Sequence, residues 1–325
     1  MNISMDYIKR NIDNLSRLFS VFIIFMLLFI ISPSFGTTTN ILNMFRVASL
    51  NLIIATGVAL TMLVGGIDLS SGASIALTSM IFSPLFQIGH SPGEMVLGIL
   101  GILLVSCMVG AFNGVCIAYF GIAPFLATYG VQQISRGLSF VITQSYVNEG
   151  MVITNFIPQF RMLGAGFFLD FIPIPIIIAG VLLLIIGFIL NKSTLGRKIF
   201  AIGSNPFSAH YSGINLNKTI LGIYMLSGFI YGIAGIVYIS RLNTAEPSIG
   251  IDFAMYAIAA AAIGGISFQG GRGNIFNIVI GALILTFITT GMNLLGIHSD
   301  WQKAVMGIII ILAVMLDRNT AKIKL

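Results

Sequence analysis

Charged residues are scarce in this chain: 8% of its 325 residues are Asp, Glu, Lys or Arg, against about 25% in an ordinary soluble domain. With 57% hydrophobic residues and a mean hydropathy of +1.02, the chain needs lipid. Histidine is equally rare, and His90, His210 and His298 stand apart with no two at ligand spacing, which argues against a metal site. The two cysteines, Cys107 and Cys116, fall on opposite faces of one predicted helix, about 13 Å apart along its axis. They cannot bridge to each other. Hydrolytic motifs are missing too: the sequence has no G-x-S-x-G elbow, no H-E-x-x-H and no Cys/His nucleophile arrangement. The absence of G-x-x-x-x-G-K-[ST] means that the chain does not cradle ATP phosphates itself, so an ATP-driven process would need an engine on another polypeptide. Mid-membrane Asp, Glu and His, expected in a proton-coupled carrier, are almost lacking.

What remains is a succession of apolar runs. Approximate spans read from them are 18 to 32, 48 to 65, 72 to 89, 94 to 119, 124 to 143, 173 to 191, 219 to 240, 252 to 267, 275 to 293 and 301 to 316. The fold class expected is an all-α polytopic membrane protein of about ten helices. It forms one domain over 1–325, with halves at about 18–143 and 173–316. Residues 32–36 lack an A-x-A cleavage pattern, so the first run reads as an uncleaved span with a cytoplasmic N-terminus. The net charge of +6 is explained by orientation rather than by nucleic acid. Lys9, Arg10, Arg17, Lys192, Arg197, Lys198, Lys218, Arg272, Arg318, Lys322 and Lys324 fall inside, eleven in all. Arg46, Arg161, Arg241 and Lys303 fall outside, and Arg136 lies within a span. This asymmetry follows the positive-inside rule with both termini cytoplasmic.

Gly228 to Gly232 forms a GxxxG element suited to close helix approach in lipid. Two Gly-rich breaks, 65–72 (GGIDLSSG) and 264–271 (GGISFQGG), align on GGI and end spans that run inward. Breaks in corresponding positions of two halves point to a transport path. Asp68 and Arg136 are the charges set in otherwise apolar surroundings. One reading places them in a path with Asn51, Gly65, Gly66, Gly72, Asn113, Gln132 and Gln133. The other has Arg136 bind carbonyls or Asp68 and lock helices together. The longest outer connection, 144–172, carries Tyr146, Asn148, Glu149, Asn155, Gln159 and Arg161, and reads either as a docking loop or as a lid on the outer mouth.

Between the halves, Lys192 to Lys218 is a basic island free of Asp and Glu. Within it, Asn205 is a candidate N-cap, Pro206 the first helical residue and Gly213 the stop, giving a short capped helix. It is either a rigid connector or a surface offered to a partner.

Over about 40–318 the chain resembles the membrane-spanning permease of ribose-type ABC importers. The residues that carry the resemblance are Gly65 to Ser70 with Gly72; Pro124, Phe125, Thr128, Gly130, Arg136 and Gly137; Gly196 and Arg197 with Ala201 to Gly203 and Asn205; and Ser212 to Ile214. Further on come Ile258 to Ala260, Gly264, Gly265, Gly270 to Gly273, Asn293 to Gly296, Trp301 and Gln302. The resemblance implies a homodimer, or a pair of paralogues, with the conduit near the two-fold axis in the bacterial inner membrane. It also implies a periplasmic or lipoprotein sugar-binding protein outside, and a cytoplasmic ATPase carrying ATP and Mg inside. No cofactor would bind this chain. Gly196, Arg197, Gly203, Asn205, Pro206, Ala209, Ser212, Gly213 and Ile214 would then form the coupling segment that meets the ATPase. The chain departs from the pattern at Ala254, where the family commonly has Glu, and at Glu246-Pro247 in place of Gln-Pro; both bear on which solute or docking partner is served. Alternatives are an ABC permease for branched-chain amino acids, nucleosides or a furanone-type signal, and an ion-coupled carrier.

Overall fold

The computed structural model describes residues 19–146 and 152–322. Lys9, Arg10, Arg17, Asn148, Glu149 and Lys324 lie outside the described residues. Thirteen helices account for nearly all of the rest: α1 Phe19–Ile31, α2 Thr38–Leu63, α3 Ser71–Phe82, α4 Pro92–Ala118, α5 Pro124–Tyr146, α6 Pro158–Ala165 and α7 Ile174–Lys192. After these come α8 Thr194–Ser204, α9 Pro206–Tyr211, α10 Leu216–Leu242, α11 Phe253–Ile263, α12 Ile278–Leu294 and α13 Ser299–Lys322. Each of the ten predicted apolar runs coincides with a helix. Five are long and apolar enough to cross a membrane: α2, α4, α7, α10 and the segment Ile275–Leu294.

The others fall short for physical reasons. Helices α3 and α11 have 12 and 11 residues and rise about 17 to 18 Å, little over half of a hydrocarbon core. Glycine breaks cut them, and α11 stops at Ile263 where the expected span ran to 267. Helix α2 is the hub. Ala48 to Leu63 are buried on every side except at Asn51, the pattern of a helix enclosed by other helices rather than by lipid. It packs against α7, α10, α11 and α12. Helices α4 and α7 turn much of their apolar surface outward, including Leu97, Leu100, Leu104, Leu184, Ile185 and Phe188.

The tightest crossing joins α4 to α10. Gly228 and Gly232 face Ser106 and Gly110, a Cβ at Gly228 would lie 3.1 Å from the Gly110 Cα, and Ser106 Oγ donates to the Gly228 carbonyl at 2.6 Å. The GxxxG element thus does what its spacing requires, bringing two backbones together in place of side chains.

At one end of the bundle two small antiparallel pairs hold the connections down. Strand β1 (Ile153–Thr154) pairs with β4 (Thr244–Ala245), and β2 (Phe167–Phe168) with β3 (Ile172–Pro173). Ile157 N donates to Phe86 O at 2.7 Å, and Phe160 stacks on Phe86 with centroids 3.9 Å apart. In the described part of this connection, 152–172, Phe156, Ile157 and Phe160 are buried against the bundle while Phe167 to Phe171 stand exposed.

Candidate functional site

The island at mid-chain folds as two short helices. Ser193 caps α8, accepting from Gly196 N at 3.2 Å. Asn205 caps α9, its Oδ1 accepting from Ser208 N at 3.0 Å, with Pro206 in the first turn. At the far end Gly213 N donates to His210 O at 2.9 Å and Ile214 N to Ala209 O at 3.1 Å, with Gly213 at φ 78°. This is the Schellman stop that the glycine anticipates. Ala209 is the buried anchor, while Phe207 and Tyr211 are 70% and 75% exposed and pack edge to face. A cleft of about 400 Å³ lies beside them, lined by His210, Gly213, Ile214, Asn215, Leu216 and Asn217. Lys192, Arg197, Lys198 and Lys218 are all exposed. The result is an aromatic knob on a basic platform, a surface that soluble proteins seldom leave bare.

Helix α8 connects this surface to the core. Gly203 sits so close to Leu63 O and Gly271 N that an added Cβ would strike both backbones. Gly271 N donates to Leu63 O at 2.9 Å, and a Cβ at Gly270 would lie 2.7 Å from Gly65 N and 3.0 Å from the Gly203 Cα. The end of α8 is thus wedged against both Gly-rich breaks. The breaks themselves are alike. Gly65 N donates to Met62 O and Gly66 N to Thr61 O, both at 2.9 Å; Gly265 N donates to Ala262 O at 2.8 Å and Ile266 N to Ala261 O at 3.0 Å. Both are Schellman endings, with Gly65 and Gly265 at φ 81° and 85°. Gly65 corresponds to Gly265 and not to Gly264, so the GGI alignment is one residue out of register.

Beyond the first break lies a buried polar cluster. Asp68 is fully enclosed and accepts from Ser70 N at 2.8 Å, Ser70 Oγ at 2.7 Å and Tyr231 Oη at 3.1 Å. Asn113 Nδ2 donates to Ser70 Oγ at 2.8 Å. Thr128 Oγ1 accepts from Leu69 N at 3.2 Å and reaches Ile67 O at 3.1 Å, satisfying backbone that a helix would have satisfied itself. Among the described residues, Asn113 Oδ1 and Tyr224 Oη are buried with no hydrogen-bond partner.

Of the two partners considered for Arg136, carbonyls and Asp68, it meets the carbonyls. Its Nη1 donates to Pro247 O at 2.6 Å and Ile249 O at 2.7 Å. Pairing with Asp68 does not occur, because hydroxyl and amide donors already meet that carboxylate while carbonyls of the α10–α11 connection meet the guanidinium. Gly72 packs on that same connection, with a Cβ at Gly250 lying 2.9 Å from the Gly72 Cα. The residues considered for a path are therefore dispersed. Asp68, Gly66 and Asn113 share the buried cluster, and Gly72 and Arg136 meet at 247–250. Gly65 lies at the α8 wedge, and Asn51 bonds Thr286 Oγ1 at 3.1 Å. Gln132 is half-buried on α5, where the exposed Gln133 donates to Tyr129 Oη at 3.3 Å.

Sequence reasoning passed over Ser70, Tyr231, Phe207 and Tyr211 as site residues. A tyrosine within a GxxxG run needs a partner for its hydroxyl, and two aromatics at i,i+4 share one helix face; both signals were available.

Residues 40–314 match the family described as the branched-chain amino acid transport system / permease component. The chain belongs to this family. The permease is 39% identical over 311 residues to the D-allose transport system permease protein AlsC of Escherichia coli, covering 95% of this chain and 93% of that protein. It is 38% identical to the ribose import permease protein RbsC of Bacillus subtilis, over 94% and 93% of the two chains. Against the galactose/methyl galactoside import permease protein MglC of Haemophilus influenzae the identity is 32%, over 97% and 96%. No solved structure matches. The permease is accordingly a membrane transport subunit and not an enzyme.

Proposed function

We propose that this permease is the membrane subunit of an ATP-driven importer that passes a monosaccharide of the ribose, allose or galactose class from a periplasmic or lipoprotein binding protein into the cytoplasm. The observation that carries the reading is the wedge of Gly203 between the Leu63 and Gly271 backbones. It gives a displacement of the basic α8–α9 surface no slack before it reaches both helix breaks. A cytoplasmic ATPase holding ATP and Mg grips Phe207 and Tyr211, and its closure and opening shift α8.

All ten helical segments traverse the inner membrane, with α3 and α11 as half-length pieces completed by buried irregular backbone. Both termini are cytoplasmic. This is supported by the grouping of Arg272 with the α8 wedge, and of Arg46, Arg161 and Arg241 at the opposite end. Two copies pack across α5. There Gly130 and Gly137 have open space before them, and Tyr129, Gln133, Ile134 and Leu138 are exposed, a mixture less suited to lipid than to another helix. Branched-chain amino acid transport is the second reading, favoured by the description of the matched family. Reconstitution with the partner ATPase and binding protein separates them: D-ribose, D-allose and D-galactose are taken up and leucine is not. Solute movement by the permease alone, without the ATPase, refutes the proposal.

A further inference from the structure

The end of the bundle opposite the α8 wedge holds two arginines, Arg46 and Arg241, that form no ion pair among the described residues. Arg46 on α2 donates to Ala165 O at 2.8 Å and to Asn43 Oδ1 at 3.5 Å, and its guanidinium lies 4.4 Å from the Phe167 ring centroid. Beside it, Gly164 packs directly on the backbone of Arg241, so both arginines border the last turn of α6. Among the described residues neither forms an ion pair, and the Arg241 side chain makes no hydrogen bond. Two neighbouring, partly buried guanidiniums that form no ion pair among the described residues favour an anion, and their forked donors suit a phosphate.

The hairpin of β2 and β3 meets Arg46 through Phe167. It turns at Leu169 and Asp170, with φ 52° and 62°, a conformation rare for a bulky apolar residue. Phe168, Leu169 and Phe171 are 52%, 67% and 62% exposed. Two features say which anion-bearing partner fits. The hairpin runs straight into α7, a membrane-length helix of mean hydropathy 2.8 with Val181, Leu184, Ile185 and Phe188 exposed, so its apolar tip continues a lipid-facing surface. Arg46 also stands 17 residues before Leu63 on α2, about 26 Å along the axis. That places it close to one hydrocarbon thickness, about 30 Å, from the α8 wedge.

We propose that Arg46 and Arg241 bind the phosphate of an anionic phospholipid, whose acyl chains pack against Phe168, Leu169 and Phe171. The inference rests on membrane placement alone and stands whatever solute is carried. Native mass spectrometry of the purified permease titrated with phosphatidylglycerol or phosphatidylcholine tests it. Wild type binds phosphatidylglycerol in preference. R46Q/R241Q loses that preference by about tenfold, the value of one charge-assisted contact, and phosphatidylcholine binding stays unchanged. R241Q alone, which breaks no hydrogen bond within the described chain, shows part of the loss, and F168S/L169S weakens both lipids. Equal binding of the two lipids by wild type overturns the proposal. So does an undiminished preference in R46Q/R241Q, including the case in which that variant loses only the capture of an acidic soluble protein.

Discussion

Replacement of Gly203 by alanine is the most direct challenge to the proposed route of coupling. A Cβ there would approach the Leu63 carbonyl oxygen and the Gly271 amide nitrogen far inside van der Waals contact. Both are backbone atoms, so no rotamer change relieves the clash. The α8 end must retreat, or the Gly271 N to Leu63 O bond of 2.9 Å must open. Overpacking of this kind costs about 1 to 3 kcal/mol, and a lost hydrogen bond adds about 1 kcal/mol. The exposed α9 surface lies beyond the clash, so G203A still binds the ATPase. In proteoliposomes holding permease, ATPase and binding protein, basal ATP hydrolysis persists while stimulation by the loaded binding protein and solute uptake both fall. Gly180, which has nothing within 4 Å of an added Cβ, is the control, and G180A transports normally. Uptake at the wild-type rate by G203A would refute the reasoning.

Gly213 sits at φ 78° with open space around it, so G213V is strained by about 1 to 2 kcal/mol through its backbone alone; it inserts but loses uptake, whereas G213N, which tolerates that conformation, retains most of it. Truncating Phe207 and Tyr211 to Ala leaves the fold intact because both are exposed, and a pull-down shows the ATPase released. D68A strands the Ser70 and Tyr231 donors, each worth about 1 to 3 kcal/mol when buried unmade, and lowers the melting temperature in detergent. The exchange D68R/R136D does not rescue either single variant in uptake or thermal stability, since the two side chains serve different partners.

Much of this architecture was legible in advance. Uninterrupted apolar runs located ten helices, because burial of backbone polar groups in lipid leaves few alternatives to helix. The capped α9 was readable from Asn205, Pro206 and Gly213, whose roles are local stereochemistry. The contacts were not. Whether Arg136 would meet Asp68 or carbonyls depended on how the α10–α11 connection folds back, and no spacing encodes that. The register of the two breaks was misaligned because the letters GGI match without regard to conformation, while within each GGI a single glycine, Gly65 or Gly265, adopts the left-handed turn. The wedge of α8 against both breaks joins residues 63, 203 and 271, which no local pattern relates.

The α4–α10 crossing has one last implication. With Gly110 and Gly228 in near backbone contact and a serine hydroxyl bolting one helix to the other, these two helices have no room to slide or rotate independently. They make a stationary mast. In the proposed import cycle the moving parts are then those around it, α8 and the interrupted α2–α3 and α11–α12 joints, and paired distance labels across α4 and α10 are expected to hold constant while labels across those joints change.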